Sequence, residues 1–271
     1  MYLCDIHTHS LISPDSEAPL ADMAQAAIDA GLDELCVTDH HDLLDWDGTF
    51  LPHFNWTGAW EQYQAVREQV EGKLTLRLGV ELGSTPYDPA AARQSLAEGG
   101  TDVDFVLGSL HNWIGLRDNR DLYFLTYTDM AMCRQAMDNY LESCWSLVSQ
   151  YPDCYDSLAH ITYPLRYMRR DGYHIPIQEY EEQVRTILTK VARTGHAMEV
   201  NTWKGASLEE EWTPLLRWFK ECGGRYVTLG SDAHAPADMA KGIREVTALV
   251  KASGFDHVTT YHKREPILHE L

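Results

Sequence analysis

Short apolar or β-branched runs alternate along this chain with longer amphipathic ones, and the residues able to do chemistry fall just after the short runs. Leu3 to Ile6 leads into His7 and His9, Glu34 to Thr38 into Asp39, His40 and His41, and Leu74 to Val80 into Glu81. Phe105 to Leu110 leads into His111, Ser157 to Ala159 into His160, Ala197 to Asn201 into Trp203 and Lys204, and Tyr226 to Gly230 into Asp232 and His234. Runs this short, bounded by turn residues, read as strands. The stretches between them predict helices over Pro19 to Ala30, along Trp60, Tyr63, Val66 and Val70, and from Pro89 to Leu96. Further helices are predicted over Met130 to Gln150, from Pro176 to a stop at Gly195, over Leu208 to Glu221 and from Asp238 to Ser253. Seven strand-helix units with no repeat or linker predict one α/β domain over residues 1–271, its parallel sheet closed into a barrel. Barrels of this kind carry their active sites on the loops at the carboxyl ends of the strands, where residues distant in sequence converge.

The first of these ends is the most specific. In an extended strand successive side chains alternate faces, so His7 and His9 project together while Ile6 and Thr8 point away. Two imidazoles in register make a chelate suited to Zn, Mn or Fe. A single histidine after a strand is more often a satisfied polar residue than a ligand. Here His7, His9, Asp15, His40, Glu81, His111, His160, Asp232 and His234 supply six imidazoles and three carboxylates, each at or just past a strand end. A multinuclear centre needs such convergence, because each cation takes four to six donors.

Composition narrows the partners. With 41 acidic against 22 basic residues the formal charge is −19, which argues against a protein that grips a nucleic-acid backbone. No apolar run approaches membrane-spanning length, and no secretory leader precedes the first histidines. The six cysteines lack any CxxC pair and read as reduced core thiols, so a cytoplasmic protein is expected. No P-loop, GxGxxG or Ser/His/Asp triad is present, so metal is the implied cofactor. The oligomeric state is not encoded in any recognisable way.

Asp5-Ile6-His7-Thr8-His9, Thr38-Asp39-His40, Gly79-Val80-Glu81, Gly108-Ser109-Leu110-His111, Ala159-His160-Ile161 and Gly230-Ser231-Asp232-Ala233-His234 resemble the successive motifs of the PHP superfamily, named for polymerase and histidinol phosphatase. The resemblance covers nearly the whole chain in the right order. It implies a distorted, TIM-like (β/α)7 barrel with two to three Zn, Mn or Fe ions. It also carries over the nine donors above as ligands, with Glu81 and Asp232 close to more than one metal.

Two further segments resemble the histidinol-phosphatase branch. Asp121-Leu122-Tyr123 falls in its substrate loop, and in His160-Ile161-Thr162-Tyr163-Pro164-Leu165-Arg166-Tyr167 the arginine looks like the one that grips phosphate. A planar guanidinium matches phosphate oxygens bidentately, and a chain this acidic needs a local cation to hold a dianion. Arg169 and Arg170 read instead as a solvated basic face. The chain departs from its relatives at Asn201-Thr202-Trp203-Lys204, where bulky Trp203 precedes the basic residue; Lys204 either reaches phosphate or faces solvent. Trp46, His53, Trp113, Tyr123 and Trp203 are candidates for the far wall of the substrate pocket.

The expected reaction is hydrolysis of a small phosphate monoester by a hydroxide bridging two of the ions, attacking phosphorus in line with the ester oxygen. Arg166 and the metals neutralise the equatorial oxygens, and Asp232, a metal-bound water or His41 supplies the leaving group's proton. Because it follows His40 directly, His41 is expected to point elsewhere and to support its neighbours. Three readings compete: a histidinol phosphatase, a PHP phosphoesterase acting on a nucleotide, sugar phosphate or phosphotyrosine, and a non-catalytic metal-binding module.

Overall fold

In a computed structural model the chain is described over residues 1–205 and 209–271. The main sheet comprises β1 (Cys4–Thr8), β2 (Glu34–Val37), β3 (His40–Asp42), β4 (Thr75–Gly83), β5 (Phe105–Ser109), β6 (Ser157–Leu158), β7 (Ala197–Asn201) and β8 (Tyr226–Gly230). Its order is β1-β2-β4-β5-β6-β7-β8, every pairing parallel, with β3 continuing the line of β2 along β4. Closure comes just past β8, where Thr8 bridges Ala233, the His9 amide donates to Ala233 O (2.9 Å) and the Asp232 amide donates to His7 O (2.9 Å). The buried Asp5 carboxylate fixes this seam, accepting from the amides of Ser231 (2.8 Å) and Ala240 (3.2 Å). The molecule is therefore a distorted α/β barrel of seven staves, the fold that the strand spacing implies.

Helices α1 (Leu20–Ala30), α2 (Trp56–Val70), α3 (Pro89–Gly99), α4 (Met130–Gln150), α5 (Tyr163–Arg170), α6 (Glu181–Thr194), α7 (Glu209–Glu221) and α8 (Ile243–Ala252) cover the outside. Helix α6 shows the logic: Val184, Ile187, Leu188 and Val191 recur at helical spacing and are buried, and Gly195 ends the helix at φ 77°. Burying four such side chains stabilises the packing by ~1.5–3 kcal/mol each. Leu208, the expected start of α7, lies outside the described residues. Among the described residues no helix is long and apolar enough to cross a membrane.

The structure departs from the sequence reading in three places. The stretch after His160, read as a basic loop, is helix α5. Its eight residues bury Leu165 and Met168 with Tyr163 and Tyr167, a pattern too short to stand out. The last helix begins at Ile243 rather than Asp238, because Ala240 (φ 58°) and Gly242 (φ 78°) break the path between them. Beyond it, strands β9 (His257–His262) and β10 (Glu265–Glu270) form an antiparallel hairpin that had not been anticipated. Its two-residue turn places Lys263 (φ 52°) and Arg264 (φ 65°) in the left-handed region, where Asn or Gly is usual. The hairpin docks at the amino ends of the strands through Arg264 on Asp156 (2.9 Å), His262 on Asp104 (2.6 Å) and Tyr2 stacked on His269 (3.6 Å).

Candidate metal centre

The carboxyl ends of the strands bring all nine predicted donors to one end of the barrel. Glu81 lies at the centre. Its Oε1 faces His111 Nε2 (3.2 Å) and His160 Nε2 (2.9 Å), while its Oε2 faces His7 Nε2 (3.2 Å), His9 Nε2 (3.6 Å) and His40 Nδ1 (2.9 Å). The pairing of β3 with β4 sets His40 directly beside Glu81. Asp232 Oδ1 lies 3.7 Å from His7 Nε2 and 3.5 Å from His9 Nε2. At the rim the half-exposed Asp15 carboxylate approaches His234 Nε2 (3.1 Å) and His40 Nε2 (3.7 Å).

These donors fit divalent ions. Four buried atoms that converge here, His7 Nε2, His9 Nε2, His40 Nδ1 and Glu81 Oε2, have no hydrogen-bond partner in the protein despite their close approach. Leaving such atoms unpaired is costly unless something else satisfies them. Four triads have donor atoms within 4.8 Å of one another: His9/His40/His234, His7/His160/Asp232, His7/His9/Glu81 and His40/Glu81/His111. A tetrahedral zinc with ordinary bond lengths holds its donors roughly 3.4 Å apart, so modest closure of each triad suffices.

Groups behind the donors orient them. His7 Nδ1 donates to Glu199 (2.6 Å), His111 Nδ1 to Asp42 (2.7 Å), His9 Nδ1 to Ser13 (3.0 Å) and His234 Nδ1 to the Asp232 carbonyl (2.9 Å). With Nδ1 protonated by these partners, Nε2 is the ring atom turned to the centre, where a cation would take the place of any proton it carries. Glu199 also accepts from the His160 amide (2.7 Å), and Ser109 donates to Glu81 Oε1 (2.6 Å). Two glycines leave the space this needs. A Cβ on Gly230 would lie 2.3 Å from the His7 Cβ and 2.5 Å from Glu199 Oε1, and one on Gly83 would lie 1.7 Å from Asp42 Oδ1.

The electrostatics follow from this crowding. Burial opposes protonation of His7 and His40, but Glu81 with Glu199 and Asp232 on one side, and with Asp42 on the other, outweighs it and holds both well above the usual range. His111 is raised to about 10, with Asp42 and Glu81 outweighing burial. His9 is lowered by burial and by His234 and His40. Burial pushes the Glu81 and Asp232 carboxyls up, yet the surrounding imidazoles, joined at Asp232 by Arg166, hold both well below it.

Arg166, on α5, stands beside Asp232. Its guanidinium donates to Asp232 Oδ2 (3.1 Å) and Asn201 Oδ1 (2.8 Å) and lies 4.5 Å from the Trp203 ring centroid. Lys204 approaches Asp238 (3.9 Å) and lies over the same indole (5.2 Å). A cavity of about 800 Å³ opens over the centre, and Trp46, His53, Tyr123, Trp203 and Lys204 all line it. Trp113 does not: it is wholly buried in the core. Arg169 and Arg170 are exposed, as a solvated basic face should be, and both are also partnered. Arg169 pairs with Glu211, and Arg170 donates to the carbonyls of Tyr123 (2.6 Å) and Leu125 (2.5 Å).

His41 is not brought into the cluster. It borders the cavity, but its Nδ1 lies 3.0 Å from Ser95 Oγ on α3, its ring is 5.5 Å from that of Phe54, and burial lowers its pKa to about 4. An unfolded imidazole titrates near 6.5, so between those values the unfolded chain binds more protons and stability rises with pH. Acidification from pH 6.5 towards 4 is expected to cost about 3 kcal/mol at this position. Urea unfolding across that window, compared with His41→Gln, should show a flatter acid limb in the variant; parallel limbs would refute it.

Sequence reasoning overlooked Glu199, Asp42, Ser13 and Asn201. Asp42 was within reach, because in β3 it shares the face of His40. Glu199 carried the weaker signal of a lone acid in an otherwise apolar strand.

A seven-stave α/β barrel whose strand ends gather six imidazoles and three carboxylates is a scaffold for a metal centre. The PHP domain family model matches residues 5–203, nearly three quarters of the chain. The chain belongs to the PHP domain family. It is 27% identical, over 95% of its length and 93% of the relative's, to the histidinol-phosphatase of Lactococcus lactis subsp. lactis. It is 29% identical to a probable histidinol-phosphatase of Clostridium acetobutylicum, over 85% of this chain and 86% of that one. Among solved structures it resembles histidinol phosphate phosphatase from Lactococcus lactis, complexed with zinc, L-histidinol and phosphate, with a TM-score of 0.84, 26% identity and 98% of each chain covered.

Proposed function

We propose that this chain is a metal-dependent phosphomonoesterase that hydrolyses L-histidinol phosphate to L-histidinol and phosphate, with residues 1–271 forming one PHP domain. The observation that carries the reading is the meeting of the unpaired donors around Glu81 with Asp232, a carboxylate in the wall of the cavity over the centre that the Arg166 guanidinium approaches from behind (3.1 Å). The Lactococcus relative, solved with zinc, L-histidinol and phosphate, supports the choice of ester. His7, His9, Asp15, His40, Glu81, His111, His160, Asp232 and His234 would hold two to three ions, zinc, manganese or iron. When bound, such ions neutralise phosphoryl charge and activate water at neutral pH.

The chain's own residues do the rest. Arg166 presents a planar fork to the phosphate, held in place by Asp232 and Asn201 and backed by Trp203. Lys204, at the cavity edge, adds a second positive charge within reach of an ester oxygen. Asp232 aims Arg166; its low pKa suits it to hold a cation rather than to carry a proton. His41, neutral at pH 7, has no acidic proton to give. Glu199, Asp42 and Ser13 keep the imidazoles in the tautomer that points Nε2 inward.

Release of inorganic phosphate by the metal-loaded chain should be faster, in kcat/KM, for L-histidinol phosphate than for nucleotides, sugar phosphates or phosphotyrosine. Equal or better turnover of one of those would transfer the assignment to that ester. No turnover of any would leave a binding module.

A further inference from the structure

Asp39 is buried between β2 and β3, directly before His40, and among the described residues it belongs to none of the ligand triads. Four donors converge on its carboxylate. Its Oδ1 accepts from the Ser10 amide (2.6 Å) and the Ser13 hydroxyl (2.8 Å), and its Oδ2 from the Ser10 hydroxyl (2.7 Å) and the Gln62 side chain on α2 (3.3 Å). The Ser13 oxygen also lies 2.9 Å from the His40 backbone amide and 3.0 Å from His9 Nδ1. A hydroxyl has one proton and a carboxylate only accepts, so that proton goes to Asp39. The His40 amide only donates, and the remaining lone pair on Ser13 is left for His9 Nδ1 to donate to. One buried carboxylate thus dictates, through a hydroxyl, that Nε2 is the nitrogen His9 offers to a metal.

The same carboxylate ties down the loop after His9. The Ser13 amide donates to Ser10 O (2.9 Å) and Ser16 Oγ donates to His234 O (2.9 Å), so Asp15 rides on a segment anchored at Asp39 and at His234. His9, His40 and His234 form one of the four triads, and this network touches all three. The His7/His160/Asp232 triad lies outside it. There His7 and the His160 amide lean on Glu199 instead.

We propose that Asp39 is a positioning residue for one ion of the centre, the one held by His9, His40 and His234, and that it acts through the Ser13 hydroxyl. This rests on the metal-centre reading above and assigns the two halves of that centre separate supports. Asp39 serves the half nearer the rim and Glu199 the other, so the ions are lost one at a time.

Drawing zinc from the loaded full chain with increasing amounts of a chromogenic chelator tests it. In Ser13→Ala and in Asp39→Asn one ion should leave at a roughly 10- to 100-fold lower chelator concentration than in the native protein, the scale of a lost hydrogen bond behind a metal ligand. The rest of the zinc should stay as tightly held as before. Ser10→Ala is the control, because it removes a bond to the same carboxylate without touching His9, and it should shift release far less. Equal shifts in Ser10→Ala and Ser13→Ala would make Asp39 a brace for its loop, and earlier loss of every ion, or of none, would also overturn the proposal. A measurement on the native protein holds even where a variant fails to fold. In the zinc-loaded chain the ring-nitrogen NMR shifts of His9 should place the proton on Nδ1 and the metal on Nε2; metal on Nδ1 overturns the assignment. A native chain that takes up no zinc would instead bring down the metal centre itself, and this inference with it.

Discussion

Glu81→Gln is expected to empty the centre. The substitution keeps the shape of the side chain but removes the one charge that five imidazoles face, within 2.9 to 3.6 Å. A carboxylate can accept on both oxygens at once, whereas a carboxamide offers one acceptor and turns two N–H donors toward the other imidazoles. The purified variant should carry less metal per chain than the native protein. Phosphomonoesterase kcat/KM should fall by roughly 10³-fold or more, the loss of several kcal/mol of charge stabilisation. Metal analysis after dialysis, together with phosphate release, would show it. A variant with full metal content and near-native turnover would mean that Glu81 fills space and that the donors act elsewhere.

Arg166→Ala is the second large effect. In water a single exposed ion pair is worth little, but Arg166 is buried between Asp232, Asn201 and Trp203. Removing it strips the phosphate of a bidentate donor and leaves Asp232 facing one cation fewer. A loss of roughly 10²- to 10³-fold in kcat/KM is expected, the size seen when one preorganised donor to a developing oxyanion is deleted. Arg166→Lys should recover little, since an ammonium cannot meet two oxygens in one plane. Unchanged kcat/KM for phosphomonoesters in Arg166→Ala would remove this residue from the phosphate site.

Much of this centre was legible before any coordinates, because a donor placed at a strand end is also a donor placed at the barrel mouth. His7 and His9 needed only the alternation of a strand, and Glu81, His111 and His160 only the recurrence of the same pattern. What could not be read depends on relations between strands. Glu199 reaches His7 from β7 across β8, and it can do so only because Gly230 has no side chain in the way. Helix α5 was concealed by its shortness and the hairpin by a turn made from Lys263 and Arg264, so the support given by the outer layers was the least visible part. His41 points away from His40, as the same alternation implies, but it meets Ser95 and Phe54 rather than the donors, whereas Trp113 shows that an aromatic residue in a loop after a ligand is as readily core as pocket wall.

The unforeseen hairpin divides the labour of the barrel. Chemistry occupies the mouth, while β9 and β10 bolt the foot shut by clamping Asp104 and Asp156, which lie just before β5 and β6. Both Tyr2 and His269 belong to that foot, stacked on each other. Any polypeptide appended at either terminus therefore emerges at the base, and the loops around the opening can be rebuilt for another ester without loosening the bolt.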